Sequence, residues 1–178
     1  MRGGHLDRRI ERIRLANPSS RTNRPRRLGM RTDDRAQQVE SGSVSLDGGM
    51  HFVGDIDGFR VDTDADEGFG GTGCGPQPLR FLLFGVAGCT AMDVISILRK
   101  KRQRVSGLEV ETRGSRVDEH PKVYQAIEVI YRVIKGKGID PRAVERAIEL
   151  SETRYCPAIA MVGKAAHIES RYEIEEAD

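Results

Sequence analysis

Cys89 and Cys156 stand 67 residues apart, each in a setting that suits a reactive thiol. Cys89 lies in Val86-Ala87-Gly88-Cys89-Thr90-Ala91-Met92-Asp93, with a glycine before it and an apolar, helix-forming run after it. Cys156 lies in Arg154-Tyr155-Cys156-Pro157-Ala158, where the proline opens another helix-like stretch. A thiol in the first turn of a helix meets unpaired backbone N–H groups and the positive end of the dipole. Both favour the thiolate, which is the nucleophile. Two such cysteines suggest a redox pair. The residues leave a second reading open, two buried apolar cysteines, because free Cys is among the most buried residue types. Cys74 sits in a glycine-rich loop with no helix behind it and reads as an incidental surface thiol.

The other chemistry-bearing residues offer less. Asp93 follows Cys89 by four, on the same helix face, and reads as a buried hydrogen-bonding group or a proton acceptor. Four His and three Cys are scattered with no paired ligand spacing, so no metal site is expected. His120, beside Pro121, belongs to a turn. The run Gly68-Phe69-Gly70-Gly71-Thr72-Gly73 lacks a following Gly-Lys-Ser/Thr, so residues 62–75 read as a flexible loop and not a nucleotide cradle.

Composition bounds the frame that must hold these residues. The 178 residues are 38% apolar and 31% charged, with no Trp. That supports one core only if the apolar residues are concentrated, and they are, over 76–174. Three cysteines and an N-terminus without an apolar stretch argue against a secreted disulfide scaffold and point to a cytoplasmic protein. Residues 79–98 alone resemble a membrane span. Their longest charge-free run, 81–92, falls short of the ~20 residues a bilayer needs, so a buried core helix is expected and no membrane.

The net charge of +2 hides an asymmetry. Residues 1–36 hold eleven Arg, no Lys and four acids, a net +7, which leaves −5 for the other 142. Residues 1–40 therefore read as a basic, disordered extension and 41–178 as the folded domain. Ile10, Ile13 and Leu15 suggest at most a turn or two of amphipathic helix. No nucleic-acid partner is expected, because the Arg99-Lys100-Lys101-Arg102 cluster has no interleaved aromatics and suits a helix C-terminus.

The patterning predicts a hairpin of 44–46 and 50–53 around Asp47-Gly48-Gly49, then a strand over 59–63. A helical stretch over 76–102 is apolar nearly all round, as if buried on every side, and Gly85 and Gly88 are expected to break it so that Cys89 starts a second helix. Residues 107–117 and 122–135 read as two strands. Asp140-Pro141 caps a helix burying Val144, Ala147, Ile148 and Ser151. A short helix from Cys156 and a strand over 167–174 close an α+β domain.

Several motifs resemble one family in the right order and spacing. They are Gly75-Pro76-Gln77-Pro78-Leu79, Gly88-Cys89-Thr90-Ala91-Met92-Asp93-Val94, Glu119-His120-Pro121-Lys122-Val123, the run from Ala143 to Ser151, and Tyr155-Cys156. Over 48–174 the chain resembles the OsmC/Ohr family, in its OsmC-like branch. The resemblance implies an OsmC-like fold, with curved antiparallel sheets around a buried central helix, in an intertwined homodimer. It implies thiol peroxidase chemistry on organic hydroperoxides, with Cys89 peroxidatic and Cys156 resolving. Electrons would come from a dithiol reductant such as a lipoylated protein, with no metal and no bound organic cofactor. Phe81, Phe84 and Met92 would line the substrate pocket. Family enzymes carry a glutamate before the first cysteine helix and an arginine upstream. Here Pro78-Leu79-Arg80 has no acid, which makes Arg80 the candidate thiolate stabiliser and Arg60 the nearest candidate for the upstream arginine. The alternative in the same fold is a redox-sensing or binding module whose arginine arm contacts an anionic partner.

Overall fold

The computed structural model describes residues 10–13, 40–134 and 136–175. In chain order the elements are β1 (Ile10–Ile13), β2 (Gly42–Gly48), β3 (His51–Ile56), β4 (Phe59–Thr63), α1 (Arg80–Lys100), β5 (Glu109–Arg116), β6 (Tyr124–Ile134), α2 (Pro141–Leu150), α3 (Pro157–Val162) and β7 (His167–Glu175). The described residues up to 82, β1 apart, form one compact unit; β1 and the residues from 83 onward form another.

The smaller unit is the antiparallel meander β2-β3-β4. Asp57 and Gly58 both take positive φ, 54° and 82°, the two-residue turn whose twist matches a tight hairpin. Residues 64–75 follow. They were expected to be flexible, but a single carboxylate organises them. Asp64, 2% exposed, accepts from the N–H groups of Ala65, Thr72 and Cys74 at 2.8, 2.8 and 3.2 Å and from the Thr72 hydroxyl at 3.0 Å. The Thr72 N–H foremost, then those of Cys74 and Ala65, holds the Asp64 pKa down at about 2 against the opposing effect of burial. A Cβ on Gly71 would fall 1.8 Å from the Ala65 carbonyl oxygen, so only glycine lets this loop close.

The larger unit holds a four-stranded sheet in the order β1-β7-β6-β5. Ile10–Ile13, expected at most as helical turns, pairs antiparallel with β7; of the expected 1–40 extension, residues 1–9 and 14–39 lie outside the described residues. β5 and β6 are antiparallel, as expected. β6 and β7 are parallel, from Ala126↔His167 to Ile134↔Glu175. A parallel pair needs a long crossover, and α2 and α3 supply it. Asp140 caps α2 by accepting the Arg142 N–H at 3.0 Å, with Pro141 in the first turn. The helix then buries Ala143, Val144, Ala147 and Ile148 in the same core as Ile127, Val129, Tyr131 and Val133 of β6.

α1 departs from expectation twice. It is one continuous helix of 21 residues, unbroken at Gly85 and Gly88. Each glycine costs about 1 kcal/mol in a helix interior. Burying Val86, Val94 and Leu98 repays that at about 1.5–3 kcal/mol per side chain. Nor is the helix buried all round. Its buried stripe is Val86, Thr90, Val94 and Leu98, every fourth residue, while Leu82, Phe84 and Met92 are 49%, 75% and 70% exposed. By length and composition alone α1 could cross a membrane, but its buried stripe is part of the unit's own core.

Ile148, 1% exposed at the centre of that core, is the position to test. Ile148→Ala is expected to lower the unfolding free energy by about 2–5 kcal/mol, read as a lower guanidinium midpoint at unchanged slope.

Candidate active site

Two elements converge on the thiols. Cys89 and Asp93 lie one turn apart on α1, on the same face, so the helix fixes their spacing. Cys156 arrives from the crossover. After α2 the backbone widens into a π-helical turn over Ser151–Tyr155, closed by the Cys156 N–H donating to the Ser151 carbonyl at 2.8 Å. Such turns concentrate at functional sites. Cys156 then caps α3, its Sγ accepting the Ile159 N–H at 3.4 Å, with Pro157 next.

The result is a cluster in which Cys89 Sγ, Cys156 Sγ and an Asp93 carboxylate oxygen all lie within 4.8 Å of one another. Cys89 and Asp93 are half-buried and Cys156 is 2% exposed. All three cysteines are free thiols. The expectation of no metal-ligand grouping rested on spacing along the chain, which is blind to donors joined by folding.

The helix-start setting expected for both thiols holds for one of them. Cys89 lies mid-helix, where the N–H groups are spent on the helix itself. Cys156 does sit at a helix start, but burial pushes its thiol up to about 12. The N–H groups of Ile159 and Ala158 pull it down, while Cys89 beside it raises it further. At neutral pH Cys156 is therefore a thiol.

Behind the thiols runs a polar chain through the apolar core. The Ser151 hydroxyl donates to Asp93 Oδ2 at 3.1 Å and lies 2.8 Å from Thr90 Oγ1. Thr90 lies 2.8 Å from the Tyr131 hydroxyl, which lies 2.9 Å from Glu152 Oε1. The Ser170 hydroxyl donates to the same Glu152 oxygen. Asp93 and Glu152 are thus joined through three hydroxyls, with both carboxylates accepting. Burial raises the Glu152 pKa above its ordinary value, against the pull of Ser170 and Tyr131, whose hydroxyls both donate to it. Burial also raises the Tyr131 pKa, keeping it a neutral phenol.

The other expected site residues are placed less favourably. Arg80 is the exposed first residue of α1. Nine residues, about 13 Å of helix rise, separate it from Cys89, and helical side chains lean toward the N-terminus. The helix thus does not bring the two together. Arg60 pairs with Asp62, Nη2 to Oδ1 at 2.8 Å and Nε to Oδ2 at 3.1 Å. Phe81 is half-buried, and Phe84 and Met92 are exposed. Met92 lines an open groove of about 250 Å³ with Ala91, Ile95, Arg99, Val105 and Leu108, and Cys89 is not among its lining residues. Cys74 is exposed, its sulfur 3.1 Å from the Thr72 hydroxyl.

Residues 69–171 match the profile of the OsmC-like proteins, a span that contains all three members of the cluster. The chain belongs to the OsmC-like family. It is 33% identical over 127 residues to Protein YhfA of Escherichia coli K12, covering 71% of this chain and 91% of that protein. Its fold is similar to the crystal structure of a hypothetical protein from Aquifex aeolicus VF5, with TM-score 0.71, 26% identity, and 80% and 100% of the two chains covered. It is also similar in fold to the organic hydroperoxide resistance protein OhrB of Bacillus subtilis, with TM-score 0.55, 13% identity, and 75% and 97% covered.

In this OsmC-like protein the sequence reading missed Thr90, Tyr131, Glu152 and Ser170 of the polar chain. Their only signal was polarity on apolar faces: Thr90 inside the most apolar helix, and Tyr131 on a strand of Val and Ile.

The raised Glu152 pKa has a measurable consequence. Because folding raises the Glu152 pKa, the folded state holds a proton there more tightly than the unfolded chain does. The resulting stability is present at and below the ordinary value of 4.5 and is lost as the pH rises through the folded value. Glu152→Gln has nothing to titrate. Unfolding free energies at about pH 4.5 and 7.5 are expected to shift toward the Gln variant at the higher pH, and an unchanged difference would show that folding does not raise the Glu152 pKa.

Proposed function

We propose that this OsmC-like protein is a cysteine-dependent thiol peroxidase that reduces organic hydroperoxides through a Cys89 sulfenate and a Cys89–Cys156 disulfide. The observation that carries this reading is the meeting of two thiols from distant parts of the chain, one reachable and one buried. Cys89 is the peroxidatic residue because it is the more exposed; the buried, protonated Cys156 is poorly suited to attack a peroxide. The likeness in fold to an organic hydroperoxide resistance protein adds support.

The steps balance. The Cys89 thiol gives up its proton and its sulfur attacks the terminal peroxide oxygen; the O–O bond breaks, and the departing alkoxide takes up that proton and leaves as the alcohol, giving a sulfenic acid. Cys156 condenses with it, forming the S–S bond and releasing water. An external dithiol, of the lipoylated class, takes the oxidising equivalents by exchange and restores both thiols. The disulfide brings the sulfurs to about 2.05 Å, so the pair closes from its present spacing. Phe81, Phe84 and Met92 would prefer an alkyl hydroperoxide over hydrogen peroxide. Three free thiols suit a reducing, cytoplasmic setting.

We also propose that a second copy of this chain covers α1, giving a homodimer. A helix apolar on all sides belongs inside a core, yet this one exposes Phe84 and Met92 at 75% and 70%. Along the same face Gly85 and Gly88 have no neighbour within 4 Å of an added Cβ, which leaves room for close approach.

The deciding assay is dihydrolipoamide-dependent consumption of cumene hydroperoxide. Wild type is expected to turn over repeatedly, Cys89→Ser to fall to the uncatalysed background, and Cys156→Ser to stop after about one turnover per chain. No turnover by wild type would sink the peroxidase reading and favour a redox sensor.

Sedimentation tests the dimer separately. Wild type is expected at twice the chain mass and Phe84→Glu at the chain mass, because a buried carboxylate without a partner is costly. A monomeric wild type would end the dimer reading.

A further inference from the structure

The three donors that meet at the thiols are also a ligand set. We infer that reduced Cys89, Cys156 and Asp93 bind one zinc-class divalent cation, and that disulfide formation abolishes the site. Two thiolates and a carboxylate select a soft or borderline metal, and zinc takes such donors in tetrahedral geometry. Typical bonds of about 2.3 Å to sulfur and about 2.1 Å to oxygen place tetrahedral donors roughly 3.4–3.8 Å apart. The three atoms already lie within 4.8 Å, so a closure of about 1 Å suffices. Three protein ligands leave a fourth position to water.

The supports around the donors are those of a built site. Cys89 and Asp93 share one rigid helix face at a spacing of four. The Ser151 hydroxyl holds the Asp93 carboxylate through Oδ2, and the Ile159 N–H holds the Cys156 sulfur. Hydrogen bonds of this kind orient ligands and tune their affinity. The half-buried Cys89 and Asp93 give an ion a way in. Once both thiols have given up their protons, two thiolates and a carboxylate carry −3, and a divalent ion reduces that to −1. Binding displaces the thiol protons, so the cation competes with protons for sulfur.

Oxidation removes the ligands. When a diazene oxidant such as diamide accepts two electrons and two protons from the reduced thiols, the S–S bond forms and the diazene becomes a hydrazine. Neither sulfur then remains a thiolate. The donors are those of the peroxidase reading, but metal binding does not depend on peroxide turnover and is measured without peroxide.

Cobalt(II), a spectroscopic stand-in for zinc, is the probe. Reduced full-length protein is expected to bind one Co²⁺ per chain with a thiolate-to-cobalt charge-transfer band, and equimolar Zn²⁺ should bleach it. Cys89→Ser and prior diamide oxidation should each abolish the band, a phosphine reductant should restore it after oxidation, and Cys74→Ser should leave it intact. Asp93→Asn should weaken binding about 10-fold or more. The oxidised wild type keeps the test independent of whether any variant folds. Absence of the band in reduced wild type would overturn the inference, as would a band that survives Cys89→Ser or oxidation.

Discussion

Strands β6 and β7 run parallel, and a parallel pair cannot be closed by a hairpin. The chain must leave β6, cross one face of the sheet and return, and everything that makes the site lies on that detour or beneath it. α2 buries its apolar stripe in the core it shares with β6 and so fixes the path. The π-helical turn then shifts the backbone out of α-helical phase just before Cys156. Without that turn α2 would continue past the thiol with a different set of side chains facing α1. The distance between two cysteines 67 residues apart is therefore set by how one crossover packs.

The polar chain from Asp93 to Glu152 runs through that same packing. Thr90 occupies the buried stripe of α1 where a Val would pack as well, and its hydroxyl reaches both α1's neighbour Tyr131 on β6 and Ser151 at the end of α2. A buried hydroxyl without partners costs about 1–3 kcal/mol, so the three elements are locked in one register by the need to satisfy each other. No buried side-chain polar atom among the described residues lacks a partner. The chain also ends on Asp93, so the geometry of the thiol site and the register of the core are one constraint.

Most of the fold could be read from the residues, and the failures share a cause. Asp140-Pro141 announced α2, and period-two alternation announced β6, because caps and alternation are local. The glycines at 85 and 88 misled, because their local cost is smaller than the burial that a long-range core supplies. Asp64 was invisible as the organiser of its loop, since a carboxylate among glycines looks the same whether solvated or enclosed. The parallel pairing and the meeting of Cys89, Asp93 and Cys156 depend on contacts between distant residues. Periodicity carries no information about those; only the family motifs hinted at them.

The outer face of α1 bears directly on the thiols. Cys89 lies on the flank between the buried stripe and the exposed row, so it is half-buried while Phe84 and Met92 stand in solvent. Any partner that covers that row also decides what reaches Cys89. A second copy seated there would close an apolar wall beside a sulfur that is otherwise open, strengthening electrostatic interactions around it by excluding water. Access for an apolar peroxide, exclusion of bulk water and burial of the helix are then consequences of one association. The reactivity of Cys89 would consequently belong to the assembled helix pair more than to its own helix, whose dipole and N-terminal arginine lie too far along the axis to act on it.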